Sequence, residues 1–110
     1  MTVGLNDLVN EYIEYAAEHG IGTEKGDYKK ANKAYEKLMI IYHKIKENDP
    51  QFNLLLPLLK HDNPYVRLWS ASHLLSSTKE AKKVLKQLMK QRGLASFDAK
   101  MTLQEWEKEN

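Results

Sequence analysis

The 110-residue sequence predicts an all-α protein, and three observations carry that prediction. Apolar residues recur three and four positions apart through most of the chain, the period of one helix face. No segment sustains the alternation of a half-buried strand. Capping residues, prolines and glycines fall between the periodic segments, where helices start and stop.

Residues 5–19, LNDLVNEYIEYAAEH, place Leu5, Leu8, Val9, Tyr12, Ile13 and Ala16 at helical spacing. Asn6 is the expected N-cap and Gly20 the expected end. Asp7, Glu11, Glu14 and Glu18 fall on one stripe of the opposite face. Acid near the N-terminus favours the helix dipole, whereas Glu18, near the expected C-terminus, does not. His19 would sit at that C-terminal end. Residues 20–27, GIGTEKGD, read as a glycine-bearing loop. A longer second helix is predicted from Tyr28 to near Asn48. Tyr28, Ala31, Tyr35, Leu38, Tyr42 and Ile45 recur along it, and Lys29, Lys30, Lys33 and Lys37 cover part of its surface.

Asp49-Pro50 reads as an N-cap followed by proline at the first helical position. The segment after it, with Phe52, Leu54, Leu55, Leu56, Leu58 and Leu59, predicts a short helix buried on most sides, bent or shortened by Pro57. Three more helices are predicted at 64–76, 78–91 and roughly 95–108. Asp62 or Asn63 caps the first and Pro64 starts it; Thr78 caps the second and Gly93 ends it. A shift of 28 aligns Val66, Trp69, Ala71 and Leu75 with Leu94, Phe97, Ala99 and Leu103. A shift of 29 aligns Leu55, Leu56 and Leu59 with Val84, Leu85 and Leu88. The chain therefore reads as one domain over 1–110: a helix pair at 1–48, then similar hairpins at 49–76 and 77–110 that bury their apolar faces by stacking.

Charge and composition narrow the function classes. Apolar residues at 42% and charged residues at 29% are ordinary for a globular protein. No apolar run approaches the ~20 residues that span a membrane. The start, MTVGLNDLVNEY, lacks the basic and apolar blocks of a secretory signal, and cysteine is absent. The expectation is a cytoplasmic protein. A net charge of +2 is too small to argue for nucleic acid by itself. Its distribution is uneven: residues 1–28 hold six acids against Lys25, for −5, leaving +7 on the remainder.

The stretch 61–75, HDNPYVRLWSASHLL, sets two readings against each other. In one it is a packing unit, with Asp62 or Asn63 as cap, Val66, Trp69 and Leu74 in the core, and small residues at Ser70, Ala71 and Ser72 for close helix approach. In the other, His43, His61, Asp62 and Asp98 hold metals for phosphoester hydrolysis. The packing reading explains nearly every position, and a His-Asp pair is too common to serve as a motif. His73, four residues after Trp69, reads as a partly buried, hydrogen-bonded histidine, and no HxxxH or HExxH spacing supports zinc. Gly20 to Gly26 matches no nucleotide loop, since no strand precedes it.

Asp62-Asn63-Pro64-Tyr65-Val66-Arg67-Leu68-Trp69-Ser70-Ala71, closing on Leu74-Leu75, resembles the turn and second helix of a HEAT repeat. The second hairpin departs from that pattern, with Arg92 and Ala95 where proline and valine-arginine would align. Taken whole, the chain is similar to a family of small bacterial HEAT-like proteins catalogued as a domain of unknown function. LVNEYIEYA, the lysine-rich second helix, VRLWSASHLL and the closing LQEW carry that similarity. The resemblance implies a HEAT-like stack of antiparallel hairpins, about six helices in a right-handed α-α superhelix, with Arg67 bonding a neighbouring turn or acid. It brings no activity, cofactor or metal.

The functional expectation is a non-enzymatic protein-binding module. Small bacterial proteins of this kind include immunity proteins, which neutralise secreted antibacterial toxins. Asp7, Glu11, Glu14 and Glu18, with Tyr15 and other exposed tyrosines of 12–42, would contact a basic nuclease toxin, because carboxylates mimic phosphate. The alternative is nucleic-acid binding through Lys79, Lys82, Lys83, Lys86 and Lys90, on a segment, 79–92, that carries +5. No aromatic residue interleaves those lysines, which weakens stacking on bases.

Overall fold

Gly26, not Gly20, ends the first helix. In the computed structural model, which describes residues 4–109, α1 runs over Leu5–Lys25. Gly26 takes φ +71°, and its N–H donates to the Thr23 carbonyl at 3.2 Å. The Asp27 N–H donates to the Gly22 carbonyl at 2.8 Å, completing a Schellman end. The segment expected as a loop is therefore helical through Lys25. Gly20 and Gly22 are buried, and a Cβ on Gly22 would stand 2.8 Å from the Ala31 backbone nitrogen. Packing against the next helix outweighs the roughly 1 kcal/mol helix penalty of a glycine. The expected Asn6 cap is not used: Gly4 holds the N-cap position without a side-chain bond.

α2 spans Tyr28–Asn48, and the Asp27 carboxylate accepts from the Lys30 N–H at 3.1 Å. With so short a connection, α1 and α2 form a helical hairpin. Its core holds Leu8, Tyr12, Ala16, Leu38, Ile41 and Ile45. Tyr28 and Tyr35, expected on the apolar side, are exposed. The close approach is made by Ala31 and Ala34, which turns the bulky phenols outward.

Asp49-Pro50 does not open a helix. The Phe52 N–H donates to the Asp49 carbonyl at 2.9 Å, closing a turn with proline at its second position. The same fixed φ of proline suits either use. The Asp49 carboxylate accepts from the Leu54 N–H at 2.8 Å. Phe52 sits at φ +57° and stacks its buried ring on Tyr42, centroids 5.6 Å apart and planes 7° apart.

The chain divides into two compact units, Met1–Leu54 and Leu55–Asn110. The second begins with a 3-10 helix, Leu56–Lys60, the only regular structure in the apolar segment 51–60. Pro57 lies in its first turn and so starts the element rather than bending it. α3 (Pro64–Leu74), α4 (Lys79–Met89) and α5 (Leu94–Glu109) follow. α3 packs against the 3-10 helix, α4 and α5, and α4 also packs on α5. Val66, Leu74, Leu85, Leu88 and Leu103 fill this core. Asn63 caps α3 and Thr78 caps α4, with Gly93 at φ +115° between α4 and α5. Among the described residues there are five α-helices, one 3-10 helix and no strand. None of these helices is long and apolar enough to cross a membrane.

Burial in the α1–α2 hairpin has a consequence at high pH. Desolvation pushes the Tyr12 phenol well above its usual value, with Tyr42 adding to the effect, and burial also raises Tyr42. Below about pH 10 both phenols are neutral whether the chain is folded or not, and their burial contributes fully. Above it the unfolded chain loses those protons while the folded chain keeps them. Stability should then fall by about 1.4 kcal/mol per pH unit for Tyr12, and by less for Tyr42, which solvent partly screens. Urea unfolding followed by circular dichroism should show the midpoint falling from about pH 10, with a shallower fall in Tyr12→Phe. A midpoint that stays level through the tyrosine range would contradict this account.

Candidate functional site

The stretch 61–75 is a turn locked onto a helix. The Asn63 side chain accepts from the Tyr65 N–H at 2.8 Å, so Asn63, not Asp62, is the cap. His61 Nδ1 accepts from the Asn63 N–H at 3.0 Å. The Arg67 guanidinium donates to the carbonyls of His61 at 3.0 Å and Asp62 at 3.4 Å. Arg67 thus fastens the turn of its own unit, a shorter reach than the neighbouring turn or acid expected of it. The fully buried Ser70 donates back to the Val66 carbonyl at 2.8 Å, and Ser72 to that of Leu68 at 2.7 Å. Both satisfy their hydroxyls inside the helix and leave its surface smooth. His73 lies 5.8 Å from Trp69, ring to ring. Among the described residues, no three His, Asp or Glu side chains converge as metal ligands would. His61 is instead bonded into the turn.

The acidic residues form a surface stripe. Asp7, Glu11, Glu14 and Glu18 step by four, three and four residues, which keeps them within an arc of about 60°. Because α1 continues to Lys25, Glu18 lies within the helix, and a basic residue occupies the last turn. The penalty expected for Glu18 at a C-terminus does not arise, and His19 is likewise interior to the helix. Asp7 and Glu14 are exposed, and Glu11 and Glu18 half-buried. Among the described residues, none forms an ion pair or hydrogen bond with any of the four carboxylates. Tyr15, beside them, is half-buried beneath Lys37, whose Nζ lies 5.6 Å from the ring centroid. Tyr12 is fully buried and unavailable to a partner, in keeping with its place in the apolar periodicity of α1. Tyr28 and Tyr35 are the exposed ones.

The lysines of α4 divide. Lys79, Lys83 and Lys86, together with Lys90 at the helix end, are exposed along one line. Lys82 turns toward α5, where its Nζ lies 3.9 Å from the Glu107 carboxylate and 5.7 Å from the Trp106 ring centroid. It belongs to the packing of α4 on α5 rather than to the presented face. Lys83 pairs with Glu80 at 3.3 Å. Beside it runs a groove of about 350 Å³ lined by Leu56, Leu59, Lys60, Glu80, Lys83 and Val84. Sequence reasoning missed it, because Leu56 was expected inside a buried helix. Pro57 was the available signal, since a proline-started single turn does not wrap all its leucines inward.

A family model described only as a domain of unknown function matches residues 6–107. No curated protein and no solved structure matches the chain.

Proposed function

We propose, on the premise that the chain belongs to the DUF2019 family, a domain of unknown function, that it is a non-enzymatic protein-binding module with a HEAT-like stack. Its partner is a basic protein, and the form of this reading that fits best is a cytoplasmic immunity protein that neutralises a secreted antibacterial toxin. The observation that carries it is the acidic stripe. Four carboxylates stand on one line of α1, and no cation among the described residues pairs with them. Like charges spaced i,i+4 destabilise a helix by a few tenths of a kcal/mol each, and a cationic partner turns that cost into attraction. Tyr15 supplies aromatic area at the edge of the stripe.

Affinity capture tests this. The tagged protein is expressed with the coding frames that flank it, the lysate is treated with nuclease, and retained proteins are identified. One stoichiometric basic protein is expected. Glu11→Lys with Glu14→Lys should weaken that complex at least about a hundredfold, since reversal replaces attraction with repulsion. Unchanged capture by the doubly reversed variant would move the site off α1.

The exposed line of Lys79, Lys83, Lys86 and Lys90 supports a second reading, nucleic-acid binding. Affinity for an oligonucleotide would then fall linearly in log salt. Salt-insensitive or absent oligonucleotide binding would remove it.

A further inference from the structure

Two helix faces of this chain carry opposite charge in the same register. On α1 the carboxylates stand at 7, 11, 14 and 18, and on the α4 face the ammonium groups stand at 79, 83, 86 and 90. Both series step by four, three and four residues, so each holds its charges on one line about 16 Å long. The step pattern is palindromic, so the two lines match whether the helices run parallel or antiparallel. All four lysines are exposed, as are Asp7 and Glu14, while Glu11 and Glu18 are half-buried. Among the described residues, the carboxylates hold no ion pair, and of the four lysines only Lys83 holds one, with Glu80 on its own helix. Each line carries like-charge repulsion between its neighbours that the other would relieve.

We propose that α4 is the docking surface for α1 of a second copy of this chain, stripe against stripe. Charge complementarity in matched register identifies the occupant. A partner with scattered basic or acidic residues would satisfy some of the eight groups, whereas a second copy satisfies both lines along their full length. The face offered and the face received differ, so the contact is either reciprocated in a two-fold dimer or repeated head-to-tail as a ring or chain. An interface built on exposed charges is weak and screened by salt. A copy engaged in this way has its acidic stripe covered, so self-association competes with capture of a basic partner. Only that consequence rests on the function proposed above.

Sedimentation velocity on the purified, nuclease-treated full-length chain tests the proposal. Mass above the monomer is expected at low ionic strength, rising with concentration and lost at high ionic strength. Glu11→Lys with Glu14→Lys, or Lys83→Glu with Lys86→Glu, should each weaken self-association at least about tenfold. Combining all four reversals in one chain should restore it, and that recovery also shows that the substituted chains fold. An equimolar mixture of the two doubly reversed proteins should associate as well. A wild-type chain that stays monomeric at every concentration in low salt overturns the proposal, as does association that survives either reversal. The measurement uses this chain alone, so its failure leaves the partner reading standing, and failure to capture a basic protein leaves self-association standing.

Discussion

Tyr12→Ala is expected to lower the unfolding free energy by about 3–5 kcal/mol, the range for deleting a large buried aromatic side chain. Tyr12 has no exposed surface and lies at the middle of the face that α1 turns toward α2. Its removal leaves a cavity between two 21-residue helices that cannot close over it without moving backbone. Domains of this kind are stable by only about 5–15 kcal/mol, so the loss would be a large share of the total. Tyr28→Ala supplies the comparison. Its side chain is 76% exposed, and truncation should change stability by no more than about 0.5 kcal/mol. Urea denaturation of the two variants measures both. Equal losses would mean that the α1–α2 hairpin is not packed as described.

Gly22→Val should cost about 3 kcal/mol or more, at the top of the range for overpacking. The nearest atoms to a new Cβ are backbone: the Ala31 nitrogen at 2.8 Å, the Ala31 Cα at 3.1 Å and the Asp27 carbonyl oxygen at 3.1 Å. None can rotate aside as a side chain would. Valine adds two methyl groups to a site already too small for one carbon. Even Gly22→Ala should be destabilising, although alanine gains about 1 kcal/mol in helix propensity. Gly26→Ala separates the two uses of glycine in this segment. Its Cβ would meet nothing within 4 Å, so the cost comes only from φ +71° and should be about 1 kcal/mol. Thermal unfolding of the three variants should rank Gly22→Val lowest. A Gly22→Ala chain as stable as wild type would show that α1 and α2 stand further apart.

The sequence allows either Asp62 or Asn63 as the α3 cap, whereas helix class, the span of α2, the Thr78 cap and the start of α3 at Pro64 were all legible in it. Each depends on free energies settled within a few residues: the period of an apolar face, a side-chain oxygen meeting an orphan N–H, the fixed φ of proline. The acidic line was legible for the same reason, since a helix converts spacing into direction. Which lysines present themselves was not. Lys82 and Lys83 adjoin in the chain, yet Lys82 lies against Glu107 and Trp106 of α5, and no local rule names that neighbour.

The sequence by itself determined that the chain is helical, where most of its helices begin, and which residues form the acidic line. Tertiary structure alone decided that Gly20 and Gly22 stay helical, that Tyr28 and Tyr35 are surface, and that Asp49-Pro50 makes a turn. Glycine, tyrosine and Asp-Pro each have two local uses of nearly equal free energy. The choice falls to burial against a second helix or a stacked ring, contacts that exist only once distant segments meet.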